Sequence, residues 1–314
     1  MVEGVRSGDR RALARALSVV ERGGDGARDV GQLAFPHGGR AYTVGITGAP
    51  GSGKSTLVGS LVTEVRAGGA GPDVAVLAID PSSPFTGGAI LGDRVRLDDH
   101  VLDAGVFIRS MATRGHLGGL ALATPQAVRV LDAAAFGWVL LETVGVGQVE
   151  VEVAGAADTT VVVLNPGWGD AVQANKAGLL EVADLFVINK ADRAGVADTR
   201  RDLEAMLELS SSADGAWRPP IHETVATRGE GAGVVWASVG DHRAHLEVTG
   251  TLAERRSRRL LDELRAIVVR RLEQRALALG DGALLDRLHR QVVERRLDPY
   301  AAAEEIIAGV SPPP

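Results

Sequence analysis

From Tyr42 to Leu246 the chain alternates short, wholly apolar runs with segments of helical period. YTVGIT, VAVLAID, GVFIRS, WVLLET, TTVVVLN and LFVINK lack the in–out alternation of a half-solvated strand, and STLVGSLVTEVR, TPQAVRVLDAA, ADTRRDLEAMLEL and GVVWASVGDHRAHL supply helical patterns among them. Strands buried on both faces, with helices between them, mean βα units and a mainly parallel central sheet. The expected fold class is therefore α/β. At 314 residues the chain is about twice the ~150-residue length prior for a domain, which leaves room for appendages. We expect an N-terminal helical extension and linker over residues 1–40, the α/β domain over 41–246 and a C-terminal helical arm over 247–314. Within the first, Leu13, Leu17 and Val20 mark an amphipathic helix, and the glycine-rich stretch from Gly23 to Gly39 reads as linker. The arm reads as helix broken near Gly280 to Gly282 and at Asp298-Pro299.

Residues 48–55, GAPGSGKS, fit G-x-x-x-x-G-K-[ST] in full and lie between a strand and a helix, the context this phosphate-binding motif requires. The α/β domain is thus expected to be a P-loop NTPase. Gly48, Ala49, Pro50, Gly51, Ser52 and Gly53 would form the cradle, with glycines letting backbone N–H groups approach the phosphates. Lys54 would place a point charge on the β and γ oxygens, Ser55 would ligate Mg²⁺, and Thr56 would follow onto the α-phosphate. WVLLE delivers Glu142 at the carboxyl end of a strand, in the Walker B position. It continues as Glu142-Thr143-Val144-Gly145, a Glu version of the D-x-x-G switch in which the Gly145 N–H would sense the γ-phosphate. Asp80 ends VAVLAID, and Asp93 follows in a loop rich in glycine that also carries Thr86. Lys54, Glu142 and Asp80 are the candidate catalytic groups; Ser55, Asp80, Asp93 and Glu142 are the candidate magnesium ligands.

LFVINKAD at 185–192 leads an apolar strand into N-K-x-D. Asp192 can accept from guanine N1–H and the 2-amino group, which adenine does not offer; Asn189 would contact the other purine edge and Lys190 would stack its stem on the base. Ala226, after the next strand, is the candidate for a backbone contact to guanine O6. The expected cofactors are GTP or GDP with Mg²⁺. Of 34 basic residues only Lys54, Lys176 and Lys190 are lysine, and two of these fall in the nucleotide motifs. Lys176 lies with Asn175 in NPGWGDAVQANKAG, a candidate third moving segment. Val146 stands where Ras-like enzymes carry the glutamine that orients water, and the nearest glutamine is Gln148, so hydrolysis should be slow until a partner completes the site. Arg94, Arg109 and Arg114 are available arginines.

The formal charge of -6 argues against a nucleic-acid or anionic-membrane binder, and the absence of cysteine removes thiol chemistry and Cys-ligated metals. No apolar run approaches the ~18 residues of a spanning helix, so a cytoplasmic protein is expected. RRSRR at 255–259 is interleaved downstream with acidic residues and reads as a solvated helix face. His242 and His245, the one close pair among the seven histidines, read as part of a helix face and not as a metal site. Leu260, Leu261, Leu264, Ile267 and Val268 form an apolar stripe in the arm that needs a partner, and a second copy of the chain is the expected one.

GITGAPGSGKST, AIDPSSPFTGGAILGDRVRL, FIRSMATRGHLGGL, ETVGVGQVEVEVA, VVLNPGWGDAVQANKAG and FVINKAD together resemble the MeaB/MMAA-type GTPases of the G3E group, over about residues 42–192. The resemblance implies a homodimer, held partly by the C-terminal helices, that binds an adenosylcobalamin-dependent acyl-CoA mutase of the methylmalonyl-CoA mutase type. GTP would gate cofactor loading and protection or reactivation of the mutase. It also implies magnesium and switch roles for Asp80, Asp93 and Glu142, and an additional switch around Gln173 to Lys176. The competing expectation is a P-loop kinase acting on an amino-acid transport component, a label the family has also carried.

Overall fold

The computed structural model describes residues 1–67, 73–81, 100, 102–113, 119–143, 155–167, 182–209, 215–280 and 283–310. Asp93, Gly145, Asn175 and Lys176 lie outside the described residues, as do Thr86, Arg94, Arg114, Val146, Gln148 and Gln173. The chain divides into two compact units, Met1–Arg259 and Leu260–Pro314.

The first unit is built on β1 (Tyr42–Gly48), β2 (Val74–Pro81), β3 (Val106–Thr113), β4 (Trp138–Thr143), β5 (Thr159–Leu164), β6 (Leu185–Asn189) and β7 (Ile221–Thr224). They form one seven-stranded sheet in the order β3-β2-β4-β1-β5-β6-β7, and every pairing is parallel. The described helices of this unit are α1 (Val2–Arg6), α2 (Arg10–Arg22), α3 (Gly24–Ala34), α4 (Lys54–Arg66), α5 (Gly119–Ala133), α6 (Val196–Leu209), α7 (Ala232–Val248) and the start of α8 (Thr251–Gly280). The chain order of β1 and its neighbours reverses direction at β1, so the carboxyl end of β1 is where an open α/β sheet presents its ligand crevice.

The two-residue alternation of the strands assigns each face. Val44, Ile46, Val74, Val76, Leu140, Val161 and Val163 pack with Leu57, Leu61 and Val65 of α4 and Val235 and Val239 of α7. Ala75, Leu77, Ile79, Val139 and Leu141 point the other way, onto α2, α3 and α5. Val162, Leu164, Phe186 and Ile188 continue that second face with Leu203 of α6. On β1 this face carries Thr43, Gly45 and Thr47, which separate the two clusters.

The stretch expected to be a linker is helical instead. Ala27, Val30, Gly31 and Ala34 recur at three- and four-residue spacing and are buried, so α3 forms because one face is covered, and its glycines do not prevent it. Asp9 caps α2 by accepting from the Arg11 and Ala12 N–H groups. The whole N-terminal segment therefore packs on the sheet as a layer of the core.

In the second unit α8 ends at Gly280, α9 spans Ala283–Val293 and α10 spans Pro299–Val310, so both expected breaks occur. Asp298 starts α10, accepting from the Tyr300 and Ala301 N–H groups at 2.9 and 3.2 Å. Leu288 and Ala302 are buried, Arg287 pairs with Glu305 at 2.9 Å, and Leu260, Leu261, Leu264, Val268, Val269 and Leu272 are exposed. No described helix is long and apolar enough to cross a membrane.

Candidate nucleotide site

The loop that leaves β1 requires glycine at two points for different reasons. Gly48 has φ +136°, and a Cβ there would collide with the Val163 backbone of β5. Gly53, at φ +91°, is the residue before α4, and its Cβ would strike the Asn189 amide. Only glycine lets this loop sit against two neighbouring strands and then turn directly into a helix. The first residues of α4 are thus Lys54 and Ser55, both buried, at a helix N-terminus whose free N–H groups and dipole favour an anion. Lys54 Nζ donates to the carbonyl oxygens of Gly48 and Ala49 at 2.6 and 2.9 Å, so the ammonium lies inside the curve of the loop.

Alternation along β4 brings the acidic partner to this point. Glu142 is opposite Ile46 of β1 and shares its face with Leu140, the face that α4 covers. Its Oε1 accepts from Ser55 Oγ at 2.5 Å, and the residue is 2% exposed. A serine hydroxyl and a buried carboxylate in contact at a helix N-terminus are the hard oxygen donors that suit Mg²⁺. Asp80 stands in β2, two residues beyond Ala78, the register partner of Glu142. Arg109 is not available to this site. It sits in mid-β3 opposite Leu77, and its Nη2 donates to Ser18 Oγ at 3.0 Å and Glu21 Oε2 at 2.9 Å on α2.

Asn189 closes β6 and is 2% exposed. Its Nδ2 donates to the Ser52 carbonyl oxygen at 2.8 Å, while its Oδ1 accepts from Thr224 Oγ1 at 3.0 Å and the Ala226 N–H at 3.1 Å. Asn189 thereby ties the phosphate loop, β6 and the loop after β7 together, leaving one amide hydrogen for a purine. The Ala226 N–H expected at guanine O6 is held by Asn189, and the Ala226 carbonyl oxygen accepts from Ser60 Oγ of α4 at 2.9 Å. Lys190 takes a left-handed φ of +60°, which folds its stem back over the phosphate loop so that Nζ donates to the Gly51 carbonyl oxygen at 2.5 Å. Asp192 follows in the turn and is exposed. The structure therefore brings Lys54, Ser55 and Glu142 together at the start of α4 and sets Asn189 and Lys190 against the same loop, with Ala226 held by Asn189. Thr224 belongs to no motif; it reaches Asn189 because the two are register partners in β7 and β6.

The arginine run at 255–259 is the clearest departure from expectation. Arg255, Arg256 and Arg259 turn inward at the start of α8 and pair with Asp158 and Asp184, which are 1% and 7% exposed. Burial pushes the Asp158 carboxyl up, but the Arg256 and Arg259 guanidiniums and the Thr43 N–H overcome it and hold the group below its ordinary value. His242, on a helix as expected, is fully buried on α7, with Nδ1 2.8 Å from Thr159 Oγ1 and Nε2 3.3 Å from Asp184. Burial lowers its pKa to about 4 despite the nearby Asp184. The acidic partners were hidden because they lie about 70 to 100 residues away in sequence.

Comparison with known proteins agrees with this geometry. The family described as "Methylmalonyl Co-A mutase-associated GTPase MeaB" matches residues 13–281. A Pyrococcus abyssi protein that carries GTPase as a provisional name is 48% identical over 309 residues, covering 98% of this chain and 95% of its own. GTPase ArgK of Escherichia coli is 35% identical over 300 residues, covering 92% of this chain and 88% of its own. The crystal structure of a LAO/AO transport system kinase superposes with a TM-score of 0.72 at 26% identity, covering 98% of this chain and 96% of that one. The fold is that of a P-loop NTPase, and the chain belongs to the MeaB family of GTPases.

Proposed function

We propose that this GTPase is a chaperone of an adenosylcobalamin-dependent acyl-CoA mutase of the methylmalonyl-CoA mutase type, gating cofactor loading and protecting or reactivating the enzyme. The observation that carries the reading is the family match across residues 13–281, a family whose name states association with that mutase. The site chemistry supports the nucleotide half. GTP would lie along the crevice with its phosphates at Gly48 to Thr56 and its base at Asn189, Lys190, Asp192 and Ala226. Mg²⁺ would be held by Ser55 and Glu142, with Asp80 and Asp93 contributing, and Gly145 would sense the γ-phosphate. The metal would neutralise charge developing on the phosphate oxygens. Ser55 and Glu142 would orient it, and Lys54 would bind the β and γ oxygens.

The exposed leucines and valines of α8 support a homodimer through residues 247–314, because an apolar stripe of this length is normally covered. The absence of a spanning helix among the described residues, with a chain free of cysteine, supports a cytoplasmic setting. A second reading, phosphoryl transfer to a transport component, is favoured by the superposition on the LAO/AO transport system kinase. One experiment separates them: turnover of GTP and ATP by the full chain, alone and with excess B12-dependent acyl-CoA mutase, with γ-labelled nucleotide to trace transfer. Slow GTP-selective hydrolysis accelerated by the mutase is expected. Label appearing on an acceptor protein, with no response to the mutase, would sink the chaperone reading.

A further inference from the structure

The two aspartates under the arginine run repeat one device on adjacent strands. Asp158 immediately precedes β5, its N–H donates to the Thr43 carbonyl oxygen of β1 at 2.9 Å, and its Oδ2 accepts the Thr43 N–H at 3.0 Å. Asp184 immediately precedes β6 and does the same to Thr160 of β5, at 2.9 and 2.8 Å. Each strand therefore opens with an aspartate that grips the neighbouring strand through both backbone and side chain. Strand register in a buried parallel sheet is otherwise set by apolar packing alone, and these contacts pin it at defined residues.

Three arginines from the first turns of α8 lock that staircase. Arg256 is bidentate on Asp158 at 3.1 and 2.7 Å and also donates to the carbonyl oxygens of Gly39 and Ala41, at the entry to β1. Arg259 pairs with Asp158 and donates to the Ala156 carbonyl oxygen at 2.8 Å. Arg255 grips both oxygens of Asp184 at 3.0 and 3.2 Å and the Asp158 carbonyl oxygen at 3.1 Å. The planar guanidinium fork makes such paired contacts, which an ammonium cannot reproduce. β1 and β6 are the strands that deliver the phosphate loop and the N-K-x-D loop at their other ends. There Asn189 joins the two loops through Ser52. β1 and β6 are thus tied at both ends, through β5 at their amino ends and directly through Asn189 and Ser52 at their carboxyl ends.

We propose that Arg255, Arg256 and Arg259 are positioning residues for the guanine-nucleotide site, acting through Asp158 and Asp184 on the relative register of β1, β5 and β6. This rests on the nucleotide-site reading above. The test uses the full chain and its Arg256→Ala, Arg256→Lys and Arg255→Ala variants, with dissociation of a fluorescent GDP analogue measured at 25 °C beside thermal unfolding. Positioning predicts dissociation faster by about tenfold in Arg256→Ala, with a smaller rise in Arg256→Lys, which keeps the charge but loses the fork. KM for GTP should rise more than kcat falls. Arg255 is more exposed than Arg256, so Arg255→Ala serves if Arg256→Ala does not fold. Lower unfolding temperatures with dissociation rates equal to wild type would overturn the proposal, leaving the arginines a purely stabilising role. Failure of the wild-type chain to retain the analogue at all would overturn the site reading and this proposal with it.

Discussion

Ser55 Oγ, on the first turn of α4, donates to Glu142 Oε1, at the carboxyl end of β4, across 2.5 Å. Two residues 87 positions apart meet because β4 alternates Glu142 onto the face that α4 covers and because Gly53 lets α4 start beside the strand end. A buried carboxylate against a hydroxyl at a helix N-terminus should make nucleotide binding depend on a divalent cation. In Glu142→Gln the volume is kept and the charge is lost. GTP hydrolysis should fall by roughly two to three orders of magnitude, the scale seen when one transition-state electrostatic partner is removed. Magnesium titrations of GDP affinity should flatten in the same variant, whereas undiminished magnesium dependence would show that the cation is held elsewhere.

Asn189 spends three hydrogen bonds on the protein itself, to Ser52, Thr224 and Ala226. Asn189→Ala should therefore act on loop geometry as well as on the base. Two or three buried bonds at about 1 kcal/mol each predict a GDP dissociation constant raised by roughly 30-fold or more. Thr224→Val removes one of those bonds without touching the nucleotide and should raise it by about fivefold. Isothermal titration with GDP compares the two. Equal affinity in wild type and Thr224→Val would mean the tie does not hold the base loop.

Much of this arrangement is legible in the chain, and the parts that are not share a cause. The strands, their parallel pairing and the glycine turn follow from local pattern: unbroken apolar runs and a fixed motif spacing. Asn189 is legible as part of a motif, but its ties to Ser52 and Thr224 depend on which strands are neighbours. The helix over Gly24 to Ala34 is missed because glycine content outweighs the 27, 30, 31, 34 spacing of its buried face. The arginines at 255 to 259 are misread because charged residues nearby in sequence are weighed, while their partners Asp158 and Asp184 arrive through tertiary contact. A sequence signal for those partners does exist: Ala-Asp directly precedes both TTVVVL and LFVIN, a repeated aspartate at the entry of two apolar strands.

His242 should make the fold sensitive to mild acid. Burial lowers its pKa to about 4, whereas the unfolded chain binds a proton near the ordinary value of 6.5. A depressed histidine favours the folded state when neutral, so its contribution is full above the unfolded value and is lost as pH falls from about 6.5 towards 4. The shift corresponds to at most about 3 kcal/mol. Asp158, held low, adds loss only at still more acid pH. Urea unfolding at pH 7.5 and pH 5 should show lower stability at pH 5. In His242→Gln that difference should shrink, and an unchanged pH slope would rule out His242 as its source.

Asp192 follows β6 in the turn that Lys190 enters with its left-handed backbone, and in the proposed site its carboxylate would distinguish guanine from adenine by accepting two donors. Replacing that carboxylate by an amide exchanges one acceptor for a donor. Guanine N1–H and the 2-amino group then face one matched and one mismatched group, and leaving a buried polar group unpaired costs about 1–3 kcal/mol. Xanthine, which carries an oxygen in place of the 2-amino group, restores both pairs. Asp192→Asn should therefore weaken GDP binding by roughly 10- to 100-fold and bring xanthosine diphosphate above GDP in affinity. The Asn189 tie to Ser52 is untouched by this change, so thermal stability without nucleotide should stay within about 0.5 kcal/mol of wild type, as for an exposed substitution. Competition between the two diphosphates for the variant reads the exchange directly, and a variant that still prefers GDP would place base recognition outside Asp192.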